Sequence, residues 1–391
     1  MAINVLSFTT LYPNVKQPRH GIFIEQRLRQ LVKATDVQLK VVAPVPWFPL
    51  KNKCFGQYSL YSEVESNEDR FGIDVYHPNY LVIPKVGMSI TPPLLALTGL
   101  KEIKKLIKGG FKPDVIDAHY VYPDGVAAAL IGKWLKIPVT ITARGSDINV
   151  LPQYVLPRKM IQWATKKAAM NITVSHALKE EIQKLGVPAD KVEVLRNGVD
   201  LETFKILPDV RKAKRTNVKQ LVSVGNLIEL KGHHLIIGAI KELPDIELTI
   251  VGEGPLKVKL EQLAKDCGVS ERVTFTGYKT HQELAEIYNK SDALVLASSR
   301  EGMPNVLLEA MACGTPVVAS SIGGAVEVVT RQSAGLLLKE RSVKGITNAV
   351  TTLFKSMPRL EETRHHAEQY SWEATISNLH TVFSHVLSSR H

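Results

Sequence analysis

An α/β chain built as two doubly wound, parallel-sheet domains is predicted from three observations. Apolar strand-like runs at 220–224, 246–251, 272–276, 292–297, 316–320 and 335–338 alternate with helical stretches, and repeated β-α units of this length imply a parallel sheet covered on both faces. The chain also begins with a β-α-β unit: strand 3–8, helix 22–34 and strand 37–43. Its 391 residues, 45% of them hydrophobic, can bury the cores of about two or three domains.

In the first half, strand 3–8 leads through a polar loop to Gly21 and a helix with Ile24, Leu28 and Leu31 on one face. There is no G-x-G-x-x-G, which weakens a dinucleotide-dehydrogenase reading. Gly21 has two open readings, a close approach of backbone to phosphate or a tight turn. Residues 44–80 predict a long loop with a short strand or two. Pro92-Pro93 starts a helix whose Leu94, Leu97, Leu100, Ile103 and Ile107 recur every three or four positions, opposite Lys101, Lys104, Lys105 and Lys108. It either packs on its sheet with solvated lysines or rests on anionic lipid, each lysine then contributing about 1 kcal/mol. Strand 114–119 (DVIDAH) ends at His119, where open α/β sheets bind ligands, and Tyr122-Pro123-Asp124-Gly125 opens helix 126–135. Strand 138–143 ends at Arg144. Strand 171–175, helix 177–185 and strand 191–195 close the domain at Asn197-Gly198-Val199-Asp200, which also suit an ordinary turn.

The polar, basic stretch 201–219 is the expected linker, so the domains are 1–200 and 220–370. In the second, Thr280-His281-Gln282-Glu283 is a capping box. A terminal helix over 371–391 carries Ile376, Leu379, Val382 and Val386 on one stripe.

Charge is uneven: net +9 over residues 1–200 and +2 over the rest. The first half should prefer an anionic partner. Without zinc-finger spacing or an aromatic-glycine RNA motif, nucleic acid is not expected; an anionic membrane surface or a phosphate-bearing lipid acceptor fits better. No apolar run approaches the roughly 18 residues of a membrane span, and no signal segment is seen. Cys54, Cys267 and Cys313 have no metal-type spacing. A reduced, cytoplasmic protein is expected, with peripheral contact at the inner face of the plasma membrane as a minor reading.

Chemistry concentrates at Glu301–Glu309, EGMPNVLLE, between an apolar strand and a helix expected to start at Pro304 and end near Gly314. The helix start offers unpaired N–H groups and the positive dipole end, which favour phosphate. Glu301 precedes it and Glu309 leans back toward it. Two carboxylates around an anion site suit sugars on either side of a phosphate, as in a nucleotide sugar. A lone E-x7-E is more often a helix-end stabiliser and a solvated face. Here Gly323-Gly324-Ala325-Val326-Glu327 follows a later strand, and Gly225-Asn226-Leu227 with Lys231-Gly232 follows an earlier one.

This set, in this order, resembles the donor half of retaining, nucleotide-sugar-dependent glycosyltransferases of the GT-B fold, family 4, group 1. The likeness extends over nearly the whole chain: the strand ending at His119 with Asp124-Gly125, the Asn197-Gly198-Val199-Asp200 turn, and Ser371-Trp372-Glu373 are similar to the family's acceptor domain, its close, and the start of a helix that crosses back to the first domain. The resemblance implies two Rossmann-like domains facing across a cleft. It implies catalytic His119, Lys231 and Glu301, with Lys231 facing the diphosphate and Glu301 the donor sugar. Glu309 would hold the ribose, Gly277 and Tyr278 would border the base, and the backbone of Gly302, Met303, Pro304, Asn305 and Val306 would receive phosphate and sugar; Gly21 and Asn226 complete the donor set. Arg144 and Asn197 fall to the acceptor. Two positions depart from the family: Arg144 stands where histidine-glycine is common, which suits an anionic acceptor, and Asn226 stands where arginine is usual, leaving Arg300 as a substitute cation.

No D-x-D occurs, so neither metal nor cofactor is expected. The implied activity is transfer from a UDP- or GDP-linked sugar to a glycan or lipid-linked acceptor with retained anomeric configuration, in cell-surface polysaccharide or glycolipid synthesis. A non-catalytic nucleotide-sugar-binding subunit and a nucleotide-sugar epimerase of the same fold are the alternatives.

Overall fold

The computed structural model describes residues 2–47, 61, 63–82, 87–212 and 218–389; Cys54 lies outside them. The chain divides into two compact units, residues 1–196 with 373–391, and residues 197–372.

In the first unit the strands are β1 (Asn4–Phe8), β2 (Gln38–Val42), β3 (Val45–Trp47), β4 (Asn67–Arg70), β5 (Ile73–Tyr76), β6 (Asn79–Leu81), β7 (Val115–His119), β8 (Val139–Ala143), β9 (Met170–Thr173) and β10 (Val192–Val194). Eight of them form one sheet in the order β10-β9-β8-β7-β1-β2-β5-β4. Only β4 pairs antiparallel, at the edge. Helices cover both faces, so β7 and β8 have no exposed residue and read as apolar runs rather than alternating ones. The longer helices are α1 (Ile22–Ala34), α2 (Thr91–Lys108), α3 (Val126–Leu135), α4 (Val155–Lys167) and α5 (His176–Lys184), besides the single turn Ser146–Asn149.

The second unit holds β11 (Lys219–Val224), β12 (Ile246–Val251), β13 (Val273–Gly277), β14 (Ala293–Leu296), β15 (Val317–Ser320) and β16 (Gly335–Leu338). All run parallel in the order β13-β12-β11-β14-β15-β16. Besides the short turn Pro208–Lys212, its helices are α6 (His233–Lys241), α7 (Lys257–Asp266), α8 (His281–Lys290), α9 (Asn305–Ala312), α10 (Gly323–Val328), α11 (Val343–Lys355) and α12 (Leu360–Glu368). The Thr280/Glu283 capping box is present in both directions. In the terminal helix α13 (Trp372–Ser388), Ile376, Leu379, Val382 and Val386 are buried, and Thr375 Oγ1 donates to the Arg196 carbonyl at 3.0 Å, so residues from Glu373 onward belong to the first unit.

Differences from expectation have local causes. The stretch 201–219 is packed over its described part: Phe204 is buried with ring centroids 5.6 Å from His281 and 6.0 Å from Tyr288, and Arg211 Nη2 donates to the Cys313 carbonyl at 2.6 Å. Helix α9 starts at Asn305, one residue later than expected, because Pro304 is extended (ψ 96°). Helix α4 was not anticipated. Its inward positions are Pro157, Ile161, Ala164 and Thr165, a stripe too weakly apolar to read.

Candidate active site

In the second sheet the chain leaves β11 for one face and β14 for the other, and these strands are neighbours. That is the topological switch point, where loops diverge and leave a crevice at the strands' carboxyl ends. The loop after β11 delivers Lys231 and the loop after β14 delivers Glu301. Lys231 Nζ lies 2.6 Å from Glu301 Oε1, and Ser298 Oγ donates to the same oxygen at 2.6 Å. Their side chains are 21% and 11% exposed, so the pair is partly desolvated yet open to a ligand.

Beside it, α9 offers its N-terminus from Asn305. The backbone there is clamped by two glycines. A Cβ on Gly323 would stand 2.2 Å from the Glu301 carbonyl oxygen and one on Gly324 2.3 Å from that of Gly302, and Gly324 N–H donates to the Gly302 oxygen at 3.1 Å. The Gly323-Gly324 pair therefore shapes the Glu301 loop by close approach. Met303 and Pro304 are buried; Gly302, Asn305 and Val306 are half-buried.

Glu309 sits one turn into α9, half-buried, with Tyr288 O–H donating to its Oε2 at 3.0 Å. Burial pushes its carboxyl up to about 7, against the opposing effect of that hydrogen bond. Gly277 ends β13, and Tyr278 beyond it is 38% exposed. Asn226 is exposed, and Arg300 makes no hydrogen bond or ion pair among the described residues. Asn197 belongs to this unit and donates from Nδ2 to Asn305 Oδ1 at 2.9 Å.

Gly21, His119 and Arg144 belong to the first unit. Gly21 caps α1 at φ 73°, and a Cβ there would stand 2.1 Å from the Leu11 oxygen, which settles the tight-turn requirement. His119 ends β7 fully buried. Arg144 Nη2 lies 3.1 Å from its Nδ1, and Asp117 Oδ2 lies 3.3 Å from its Nε2 without hydrogen-bond geometry. A guanidinium only donates, so Nδ1 accepts and the proton sits on Nε2, facing Asp117. Burial first, then the charges of Arg144 and Arg27, hold His119 well below the usual histidine range; the ring is neutral. Arg144 is itself drawn down to about 9 by burial and by Arg27, and its backbone N–H and that of Gly145 bond the Asp147 carboxylate. Asp124 accepts from Thr9 and Thr10, tying the loops after β1 and β7.

Several contributors escaped sequence reasoning. Ser298, three residues before Glu301, was findable from that spacing. Asp117, two residues before His119 in the same strand and so on the same face, was findable likewise, whereas Tyr288 and Arg27 carry no short-range signal. Neither does Arg341, whose Nε donates to the Ala297 carbonyl at 2.8 Å, its Nη2 being 3.0 Å from where a Gly232 Cβ would stand.

The profile of group 1 glycosyl transferases matches residues 208–372, and that of glycosyltransferase family 4 matches 61–203. TuaC of Bacillus subtilis, a glycosyltransferase assigned by name to teichuronic acid biosynthesis, is 30% identical over 89% of this chain and 88% of its own. The chain is a group 1, family 4 glycosyltransferase. Solved structures agree on the GT-B fold of this glycosyltransferase: sucrose-phosphate synthase from Thermosynechococcus elongatus superposes with TM-score 0.80 at 18% identity over 100% of both chains. Alr3699/HepE of Anabaena, solved with UDP, superposes with TM-score 0.74 at 19% identity over 98% of this chain and 100% of that one. Among the described residues no helix is long and apolar enough to cross a membrane.

Proposed function

We propose that this glycosyltransferase moves a sugar from a UDP- or GDP-linked donor to a glycan or lipid-linked acceptor with retention of configuration, in the synthesis of a cell-surface polysaccharide or glycolipid. The observation that carries this reading is the Lys231–Glu301 pair at the switch point, beside the start of α9. Lys231 turns from Glu301 to the donor diphosphate and stabilises charge as the glycosidic bond breaks. Glu301, released, accepts from sugar hydroxyls, and backbone N–H groups at 302–306 hold phosphate and sugar. Ionised Glu309 takes the ribose hydroxyls. Gly277 and Tyr278 border the base, and His119 stays neutral on the acceptor side with Arg144. The C1–O bond to the diphosphate breaks while the acceptor oxygen bonds C1 on the same face, and the departing phosphate oxygen takes the acceptor's proton. No metal or cofactor enters this scheme. The UDP in the HepE structure and the teichuronic acid role given for TuaC support a nucleotide-sugar donor and an acidic-polysaccharide setting.

Thermal melts with UDP, GDP, ADP, dTDP and NADH test this on the wild type and Glu309→Ala. A ligand at about 100 times its Kd stabilises by roughly 2.7 kcal/mol. One nucleoside diphosphate should act on the wild type alone. A response to NADH only, or to nothing, would refute the donor site. Product without acceptor would favour the epimerase, activity only with an added protein the partner subunit, and a trapped glycosyl-enzyme would rule out same-face transfer.

A second reading concerns the membrane. Tyr154, Val155 and Leu156 are 52%, 69% and 53% exposed in succession at the start of α4, followed by exposed Arg158 and Lys159. That combination suits an anionic bilayer surface at the inner face of the plasma membrane. Co-sedimentation with anionic but not zwitterionic vesicles, lost in Val155→Ser/Leu156→Ser, is the expected outcome.

A further inference from the structure

Away from these residues, the first unit holds a cleft of about 460 Å3 that the transfer chemistry does not use. It opens where β8, β9 and β10 begin, at the sheet edge opposite His119, between the last turns of α3 and α4. Lys133, Lys136, Lys167 and Lys191 line it together with Trp163, over a floor of alanine, isoleucine and proline, and no carboxylate contributes.

Lys133, Lys167 and Lys191 make no ion pair among the described residues. Helix dipoles account for part of this, since Lys133 and Lys167 sit in the last turns of α3 and α4, where cations are favoured. They do not account for Lys191, which leads into a strand. Like charges lining one cleft repel one another unless an anion is shared. The indole of Trp163 is half-buried at the cleft wall, and Trp134, beside Lys133, is 45% exposed. An aromatic face packs on the C–H face of a sugar ring, while ammonium groups take carboxylates or phosphates.

We propose that this cleft is an accessory site for an acidic saccharide bearing uronate or phosphate groups, distinct from the site of transfer. The proposal rests on the transferase reading in one respect, that the substrate is a glycan. A chain held here has its reacting end at a raised effective concentration.

Tryptophan fluorescence and calorimetry with an oligogalacturonate, a neutral malto-oligosaccharide and inorganic polyphosphate test it, on the wild type, Lys133→Ala/Lys167→Ala/Lys191→Ala, and Trp163→Phe. The oligogalacturonate should bind the wild type and quench its fluorescence, and the lysine variant should lose about tenfold or more in affinity, a change of roughly 1.4 kcal/mol. Trp163→Phe should weaken it severalfold, and the neutral oligomer should bind at least tenfold more weakly. Unchanged affinity in the lysine variant overturns the site. Equal binding of polyphosphate with no effect of Trp163→Phe also overturns it, leaving a bare polyanion patch. The nucleoside diphosphate melt, run in parallel, should persist in all variants. Its absence from the wild type would break the transferase reading while this binding is still measured independently.

Discussion

Each unit brings titratable side chains together around the carboxyl end of a central parallel strand, and the two treat them in opposite ways. In the second unit, Lys231 and Glu301 neutralise each other in a short, partly solvated pair. In the first, Arg27, Asp117 and His119 are sealed from solvent, and all three guanidinium nitrogens of Arg27, with Ser7 Oγ, Asp117 Oδ2 and Thr142 Oγ1, have no hydrogen-bond partner among the described residues. A partly solvated pair exchanges partners at small cost, whereas a buried charge is held by what surrounds it. The second unit therefore carries the exchangeable charge that a diphosphate needs, and the first carries a fixed field that keeps His119 neutral.

The largest test of that contrast is Lys231→Ala. If Lys231 stabilises the leaving diphosphate, kcat should fall by about 10² to 10³, some 3 to 4 kcal/mol, with the melting temperature nearly unchanged; a change in KM alone would break the assignment. Next comes Gly323→Ala, whose Cβ meets the Glu301 oxygen at φ 44°. It should cost roughly 2 to 4 kcal/mol in denaturant unfolding and weaken the nucleotide-induced melting shift.

In the first unit the expectation reverses. Arg27→Met alone strands the Asp117 charge and should destabilise. Arg27→Met/Asp117→Asn removes both buried charges and should be neutral or stabilising by about 1 to 3 kcal/mol. Titration of His119 by NMR should move toward the ordinary histidine range in Arg27→Met, because one of the charges holding it down is gone while the Asp117 carboxylate beside Nε2 remains.

Glu309 gives a smaller, pH-dependent effect. Its folded pKa of about 7 is raised, so the protein without nucleotide binds a proton that the unfolded chain has lost, and stability falls as pH rises from the ordinary glutamate range through about 7. Glu309→Gln should remove that fall. Ribose hydroxyls donate to the ionised form, so the nucleoside diphosphate melting shift should be larger at pH 8 than at pH 6 in the wild type, and the excess should vanish in the variant. The smallest effect expected is Asn226→Arg, a gain of severalfold in kcat/KM if the exposed amide limits turnover; no gain would assign the missing charge to Arg341 or Arg300.

Much of the frame was legible in the chain. Helix α1, helix α3, β12 and β16 fall at the positions their periodicity and glycine breaks indicate, because a strand or helix buried on one side must repeat its apolar residues at its own period. Helix α4 was not legible: Tyr154, Val155 and Leu156 put apolar groups on the outside and Thr165 faces inward, so its pattern contradicts its burial. The Glu301 loop was legible as a ligand-binding turn, but its partner was not.

By itself, then, the sequence determined the order of β-α units and hence that Lys231, Glu301 and His119 stand just beyond strand ends, because propensity, capping and period act over a few residues. Only the tertiary structure decided which of them meet. Seventy residues separate Lys231 from Glu301, and they touch because β14 lies beside β11 with β12 and β13 on the other side. Strand order follows from where each crossover packs its helix, a choice made by the whole core. The same holds for Arg144 beside His119, brought there by β7 lying beside β8, and for the tautomer that this neighbourhood imposes.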